Sequence, residues 1–167
     1  MKRLTIFRHG KAAAHVLGGV DFDRPLTSRG EADAQRVAAC LRNRIPPPDC
    51  LLSSPAIRAA QTAQIIATVF GLEEATIIWE PELYLASPKT LLATIRSAPS
   101  SSNHVMLTGH NPGLEDLARA LLPEPLTHLP TAGVVSVALD VATWTALTTQ
   151  PATIGEPLIV IPRELRN

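Results

Sequence analysis

A chain of 167 residues, 46% hydrophobic and 18% charged, has the size and composition of one globular domain with a substantial core. Fifteen basic and fifteen acidic side chains cancel, so no global field draws it to nucleic acid or to an anionic membrane. Any anion site must therefore be local.

No stretch approaches the roughly 18 uncharged apolar residues of a membrane span, and the four-residue apolar run after Met1-Lys2-Arg3 is too short for a signal peptide. Cys40 and Cys50 show no Cys-x-x-Cys pattern, and no His stands at metal-ligand spacing. They read as free thiols in a reducing compartment, with the cytoplasm as the expected location. Proline is abundant at fifteen residues; the clusters at Pro46-Pro47-Pro48 and across Pro123, Pro125 and Pro130 lie between periodic segments and read as stiff connections. No repeat or linker divides residues 1–167.

Residues 3–8 form an expected buried strand ending in Arg8-His9-Gly10. The loop from Lys11 to Leu26 is long for a compact domain, and such loops often carry function. Within it, Asp21 and Asp23 are expected to fix the loop or pair with Arg24. Ser28 and Glu31 have capping-box form and Thr27 is a further cap candidate. Ala34, Val37, Ala38 and Leu41 then trace one helical face, which the triple proline ends.

Asp49–Ser53 is the second strand. Ser53-Ser54-Pro55 carries helix-start chemistry, with Arg58 in the first turn and Gly71 as the stop. Thr76–Trp79 is the third strand, followed by the connection Glu80–Tyr84 and a helix opened by Ser87-Pro88. His104–Thr108 is the fourth strand. It runs into Gly109-His110-Asn111-Pro112-Gly113, where Asn111 is expected to cap a helix whose first residue is Pro112. Gly133–Leu139 and Pro157–Ile161 are the last two strands, with Trp144 packing in a short connection between them. Strands alternating with amphipathic helices predict a three-layer α/β/α sandwich around a mostly parallel sheet of about six strands. The final pair lacks a full helix between its members, so one of them is expected to run antiparallel.

Arg8-His9 follows strand one, Arg58 follows strand two and His110 follows strand four. In a parallel sheet all of these face the crevice at the strands' carboxyl ends. Two arginines and two histidines there suit a phosphoryl group, whose charge is spread over its equatorial oxygens. Histidine can also act as the nucleophile. His15, His104 and His128 show no partner pattern. Trp79 and Tyr84 read as packing residues, since no basic stripe accompanies them.

Five stretches in this order resemble the histidine phosphatase superfamily of the phosphoglycerate-mutase-like fold, in its short SixA-like branch. They are Arg8-His9-Gly10, Asp23-Arg24-Pro25-Leu26-Thr27 with Gly30, Ser53-Ser54-Pro55 through Arg58, Gln61-Thr62-Ala63, and Gly109-His110-Asn111-Pro112. Leu129-Pro130-Thr131-Ala132 and Pro162-Arg163 resemble the same branch. The resemblance implies His9 as the phosphorylated nucleophile, with Arg8, Arg58 and His110 holding the phosphate. It implies no metal and no cofactor. Larger members carry a Glu proton donor in an insertion after the third strand. Here only a short connection stands there, and Glu82 is the candidate donor, with Glu80 behind it.

The expected activity is metal-independent hydrolysis of phosphohistidine, the partner being a phosphohistidine-bearing protein and the product inorganic phosphate. The alternatives are a promiscuous small-molecule phosphomonoesterase and a non-catalytic phosphoprotein-binding module. A mutase is disfavoured, because it needs a closed pocket that keeps water from the phosphoenzyme.

Overall fold

In the computed structural model, which describes residues 1–124 and 126–166, ten regular elements follow one another. They are β1 (Lys2–Arg8), α1 (Ser28–Arg42), β2 (Cys50–Ser53), α2 (Ile57–Phe70), β3 (Ile77–Trp79), α3 (Pro88–Arg96), β4 (His104–Gly109), α4 (Gly113–Leu121), β5 (Val134–Leu139) and β6 (Thr153–Val160). Pro125, expected in the Pro-rich loop after α4, lies outside the described residues.

The strands form one sheet in the order β3-β2-β4-β1-β5-β6. The pairs β3/β2, β2/β4 and β4/β1 are parallel, whereas β5 is antiparallel to both β1 and β6. The strand running against the rest is thus β5, one of the final pair from which it was expected.

Alternation along the strands feeds two cores. Leu4, Ile6, Leu52, Val105 and Leu107 pack against α3 and α4, while Phe7, Leu51 and Met106 pack against α1 and α2. The face read from the sequence for α1, with Val37 and Leu41, is buried in these layers, as are Ile66 of α2, Leu91 and Ile95 of α3 and Leu114 and Leu117 of α4. Three layers result, helices on both faces of a mostly parallel sheet. Trp144 is also buried, donating its indole N–H to the Ser102 carbonyl at 2.8 Å.

Helix starts depart from expectation where a hydroxyl or amide has a better partner than its own helix. α1 is capped by Thr27, whose Oγ1 accepts from Gly30 N at 3.0 Å, so the Ser28–Glu31 box does not form. α2 begins at Ile57 without a side-chain cap, because Ser54 Oγ faces His110. α4 begins at Gly113, with Pro112 in the cap position. Asn111 does not cap it, donating instead to the Leu129 carbonyl at 2.9 Å and Glu115 Oε2 at 3.3 Å.

β6 starts four residues earlier than expected. A register shift opposite Ser136–Ala138 lets Thr153 and Ile154 pair with Leu139 and Ala138. Gly155, at φ +70, permits that irregularity, and Pro157 is tolerated because β6 is an edge strand.

His104, given no role above, closes a buried polar row. Its Nδ1 donates to the Pro46 carbonyl at 3.0 Å, so Nε2 accepts from Thr5 Oγ1 at 2.8 Å, and Thr5 meets Ser136 Oγ at 2.8 Å.

Candidate active site

The carboxyl ends of β1, β2 and β4 meet at an open cleft of about 380 Å³, lined by Arg8, His9, Asp21, Arg24, Arg58 and His110 among others. His9 is 7% exposed and its Nδ1 lies 2.7 Å from the carbonyl oxygen of Gly10. A carbonyl only accepts, so Nδ1 carries the proton and Nε2 of the neutral ring carries the lone pair. Burial pulls the imidazole down to about 4; Arg58, Arg8 and Arg24 push the same way, with the Gly10 bond opposing. At neutral pH the ring is uncharged and Nε2 is a free base.

Arg58, 2% exposed in the first turn of α2, donates Nε–H to His9 Nε2 at 3.2 Å. Its terminal nitrogens reach Asp21, at 2.7 Å to the carbonyl and 3.0 Å to Oδ2. The His110 ring centroid lies 5.0 Å from that of His9. Burial first, then His9 and Arg58, lowers His110 to about 3, so it too is neutral.

His110 Nε2 sits 2.8 Å from Ser54 Oγ, which already accepts the Ala56 N–H at 3.3 Å. The hydroxyl proton has no other acceptor among the described residues, so Ser54 donates it to Nε2, which leaves the His110 proton on Nδ1. Arg8 donates to the Leu129 carbonyl at 2.9 Å. Arg8 Nε–H and, in that tautomer, His110 Nδ1–H are buried donors without an acceptor among the described residues. Unmatched buried donors beside an unprotonated imidazole nitrogen that meets only Arg58 suit an anion.

The structure therefore gathers Arg8, His9, Arg58 and His110, and separates them from Glu82. Glu82 is exposed on the short 3₁₀ turn Pro81–Leu83 and is not among the residues lining the cleft; Glu80 is half-buried and likewise outside it. The carboxylate that does line the cleft is Asp21. It pairs with Arg24 at 2.8 Å as expected, and with Arg58 as well. The Tyr84 hydroxyl donates to Asp21 Oδ2 at 2.6 Å; with Arg58 and Arg24 it holds the Asp21 carboxyl well below the usual range, although desolvation opposes. An acid that stays ionised is no proton donor at neutral pH.

Sequence reading missed Tyr84 as a site residue and Ser54 as a partner of His110. Tyr84 does pack, edge-on to Phe22 and His110 at 5.1 and 5.4 Å between ring centroids. Its second role has no local signal. Ser54 has one, a hydroxyl before the arginine turn, but the same signal fits a helix cap.

Residues 4–83 match the model of the histidine phosphatase superfamily (branch 1). The solved structure of an Agrobacterium tumefaciens protein assigned as the phosphohistidine phosphatase SixA is 36% identical, covers 81% of this chain and 90% of that one, and superposes with a TM-score of 0.73. This chain belongs to the histidine phosphatase superfamily, in its SixA-like branch.

Two further proteins are similar over most of this chain. A protein histidine phosphatase SixA complexed with tungstate is 24% identical, covers 98% of this chain and 99% of that one, and gives a TM-score of 0.80. An uncharacterised chloroplast protein of Arabidopsis thaliana is 34% identical over 129 residues, 72% of this chain and 59% of its own length. The fold of this superfamily member is accordingly phosphoglycerate-mutase-like, as its motifs imply.

Proposed function

We propose that this phosphatase hydrolyses phosphohistidine on a protein, as one domain over residues 1–167, through a covalent phosphohistidine on His9 and without a cofactor. The observation that carries the reading is the 2.7 Å bond from His9 Nδ1–H to Gly10, which leaves the Nε2 lone pair beside Arg58.

In this reading Arg8, Arg58 and His110 hold the phosphoryl oxygens while Nε2 attacks phosphorus in line. The N–P bond of the substrate breaks, and its electron pair returns to the leaving imidazole nitrogen, which takes a proton from water. A second water then attacks the phosphorus on His9 and its released proton neutralises the hydroxide left by the first; inorganic phosphate departs, and Nε2 regains its lone pair. A basic leaving nitrogen depends less on a dedicated acid than an alkoxide does, and this agrees with a cleft whose one lining carboxylate is held ionised. Two free thiols, Cys40 and Cys50, suit a reducing cytoplasm as its location. Among the described residues no helix is long and apolar enough to cross a membrane.

The test is metal-free turnover of phosphohistidine beside p-nitrophenyl phosphate, with wild type and His9→Ala. Faster turnover of phosphohistidine, abolished in His9→Ala, is expected. Cleavage of the ester alone would favour the phosphomonoesterase. Phosphate binding without turnover of either would favour the binding module.

A further inference from the structure

A second, larger groove of about 760 Å³ lies beside the catalytic cleft and takes no part in the chemistry above. Lys11 and Thr131 line both, so the two run into one another. The groove's walls come from the first turns of α1, the loop before β5, and the chain where β6 ends. Since β6 runs antiparallel to β5 and β5 to β1, the β6 end lies on the catalytic side of the sheet.

Two properties of the lining select an occupant. Ile159, Ile161 and Leu126 give it apolar surface, and Ile159 is 38% exposed on an edge strand. Its charge is positive: Lys11, Arg29, Arg163 and Arg166 against Asp33 and Glu124. Asp33 is already satisfied, buried and bonded to Arg36 and Arg166. Arg29 reaches it only at 3.8 Å, and no ion pair to Lys11 or Arg163 is present among the described residues. In a chain of zero net charge, this is a local cationic surface contiguous with the phosphate site.

We infer that the groove docks the polypeptide flanking the phosphorylated histidine, and that it selects acidic side chains interleaved with apolar ones. The inference rests on the phosphohistidine reading and deepens it. The phosphoryl group enters the small cleft and carries little information about its protein. Acidic residues meet Arg29 and Arg163, and an apolar residue lies on Ile159 and Ile161. Charge complementarity of this kind steers encounter and rejects basic partners.

The experiment compares two synthetic phosphohistidine peptides, one flanked by alternating Glu and Leu and one by alternating Lys and Leu, with free phosphohistidine. The enzymes are wild type, Arg29→Glu/Arg163→Glu and Ile159→Asp. Wild type is expected to prefer the Glu peptide by about tenfold or more in kcat/KM, a preference that weakens with salt. The double variant should lose or invert the preference, and Ile159→Asp should lower kcat/KM for the Glu peptide, while free phosphohistidine turns over as before in both.

Equal use of the two peptides by wild type overturns the inference. So does a double variant that slows free phosphohistidine as much as the peptides. Concentration-dependent dimerisation that the double variant abolishes would assign the groove to a second copy of this chain instead. If no phosphohistidine compound is cleaved while p-nitrophenyl phosphate is, the substrate reading has failed. The groove is then judged on its own, by whether the Glu peptide inhibits ester cleavage better than the Lys peptide and loses that advantage in the double variant.

Discussion

At the scale of single residues, two proton positions decide what the cleft can do. His9 is set by the Gly10 carbonyl and His110 by Ser54, and neither partner belongs to the set of charged side chains that marks the site in the sequence. Ser54→Ala removes the hydroxyl that orients His110 and frees its ring to rotate or exchange tautomers. A neutral hydrogen bond of about 1 kcal/mol corresponds to a loss of roughly fivefold to tenfold in kcat. We expect that loss with KM little changed, and recovery in Ser54→Thr; a KM effect alone would show that Ser54 only shapes the pocket.

In the proposed mechanism His9 also sets the acid limb of the pH profile. With its imidazole lowered to about 4, kcat/KM should stay level from neutrality to about pH 5 and fall as Nε2 takes a proton near pH 4. An inflection near 6.5 in the pH–rate profile of the free enzyme would show that His9 is not in this environment.

At the scale of elements, the recurring short motifs turn out to be points where loops are fastened to helices. Thr27 accepts from Gly30 N and donates to the Lys11 carbonyl at 3.1 Å. Gln61 of α2 accepts the Leu26 N–H at 2.7 Å. Thr62 accepts that of Gly10 at 3.1 Å while donating to the Arg58 carbonyl at 2.7 Å. The loop that carries His9 is thereby tied to the helix that carries Arg58.

Gly30 is required by contact rather than by backbone angle. A Cβ there would lie 2.2 Å from the Lys11 carbonyl oxygen and 2.8 Å from the Lys11 nitrogen. Backbone on both sides must move to admit it. Gly30→Ala should cost about 1–3 kcal/mol, lowering Tm by several degrees. KM should rise as well, since Lys11 is two residues from His9. A melt and a kinetic assay on the same preparation check both.

At the scale of the whole molecule, three histidines are buried uncharged at opposite ends of the sheet. His9 and His104 are lowered to about 4 and His110 to about 3, each chiefly by burial. Below the unfolded value near 6.5 the unfolded chain binds protons that the folded chain refuses, so stability is full above that pH and falls as pH drops towards 4. Asp21, Asp33 and Glu115, all held below their usual values, extend the loss at still lower pH. Burial alone would raise Asp33; the hydrogen bonds from Arg166 and Arg36 outweigh it. Thermal melts should show a plateau above pH 7 and a decline from pH 6.5 to 4. His104→Gln, remote from the cleft, should flatten part of that decline; for one histidine the part at stake is on the order of 3 kcal/mol. A slope unchanged by that substitution would place the proton uptake elsewhere.

Periodicity made the layers legible. The helical face Ala34, Val37, Ala38 and Leu41 named in the sequence is buried, because the 3.6-residue repeat of apolar side chains is a local consequence of packing on a sheet. Arg8, His9, Arg58 and His110 were legible for a similar reason: strand ends in a parallel sheet converge, so sequence position already implies neighbourhood.

The place of Glu82 was not legible. Whether Glu82 points into the cleft depends on a three-residue turn whose orientation is set by packing around it, and the turn sends Tyr84 to Asp21 while Glu82 stays exposed. The cap assignments of Ser54 and Asn111 failed on similar grounds, since a hydroxyl or amide satisfies whichever partner the fold brings nearest. By itself the sequence determined the sheet, its helical layers and the four cationic or imidazole groups at its carboxyl edge. Only the tertiary structure decided the tautomers, the burial that keeps the histidines neutral and the charged groove beside them. Those depend on contacts between residues far apart in the chain, which no local pattern encodes.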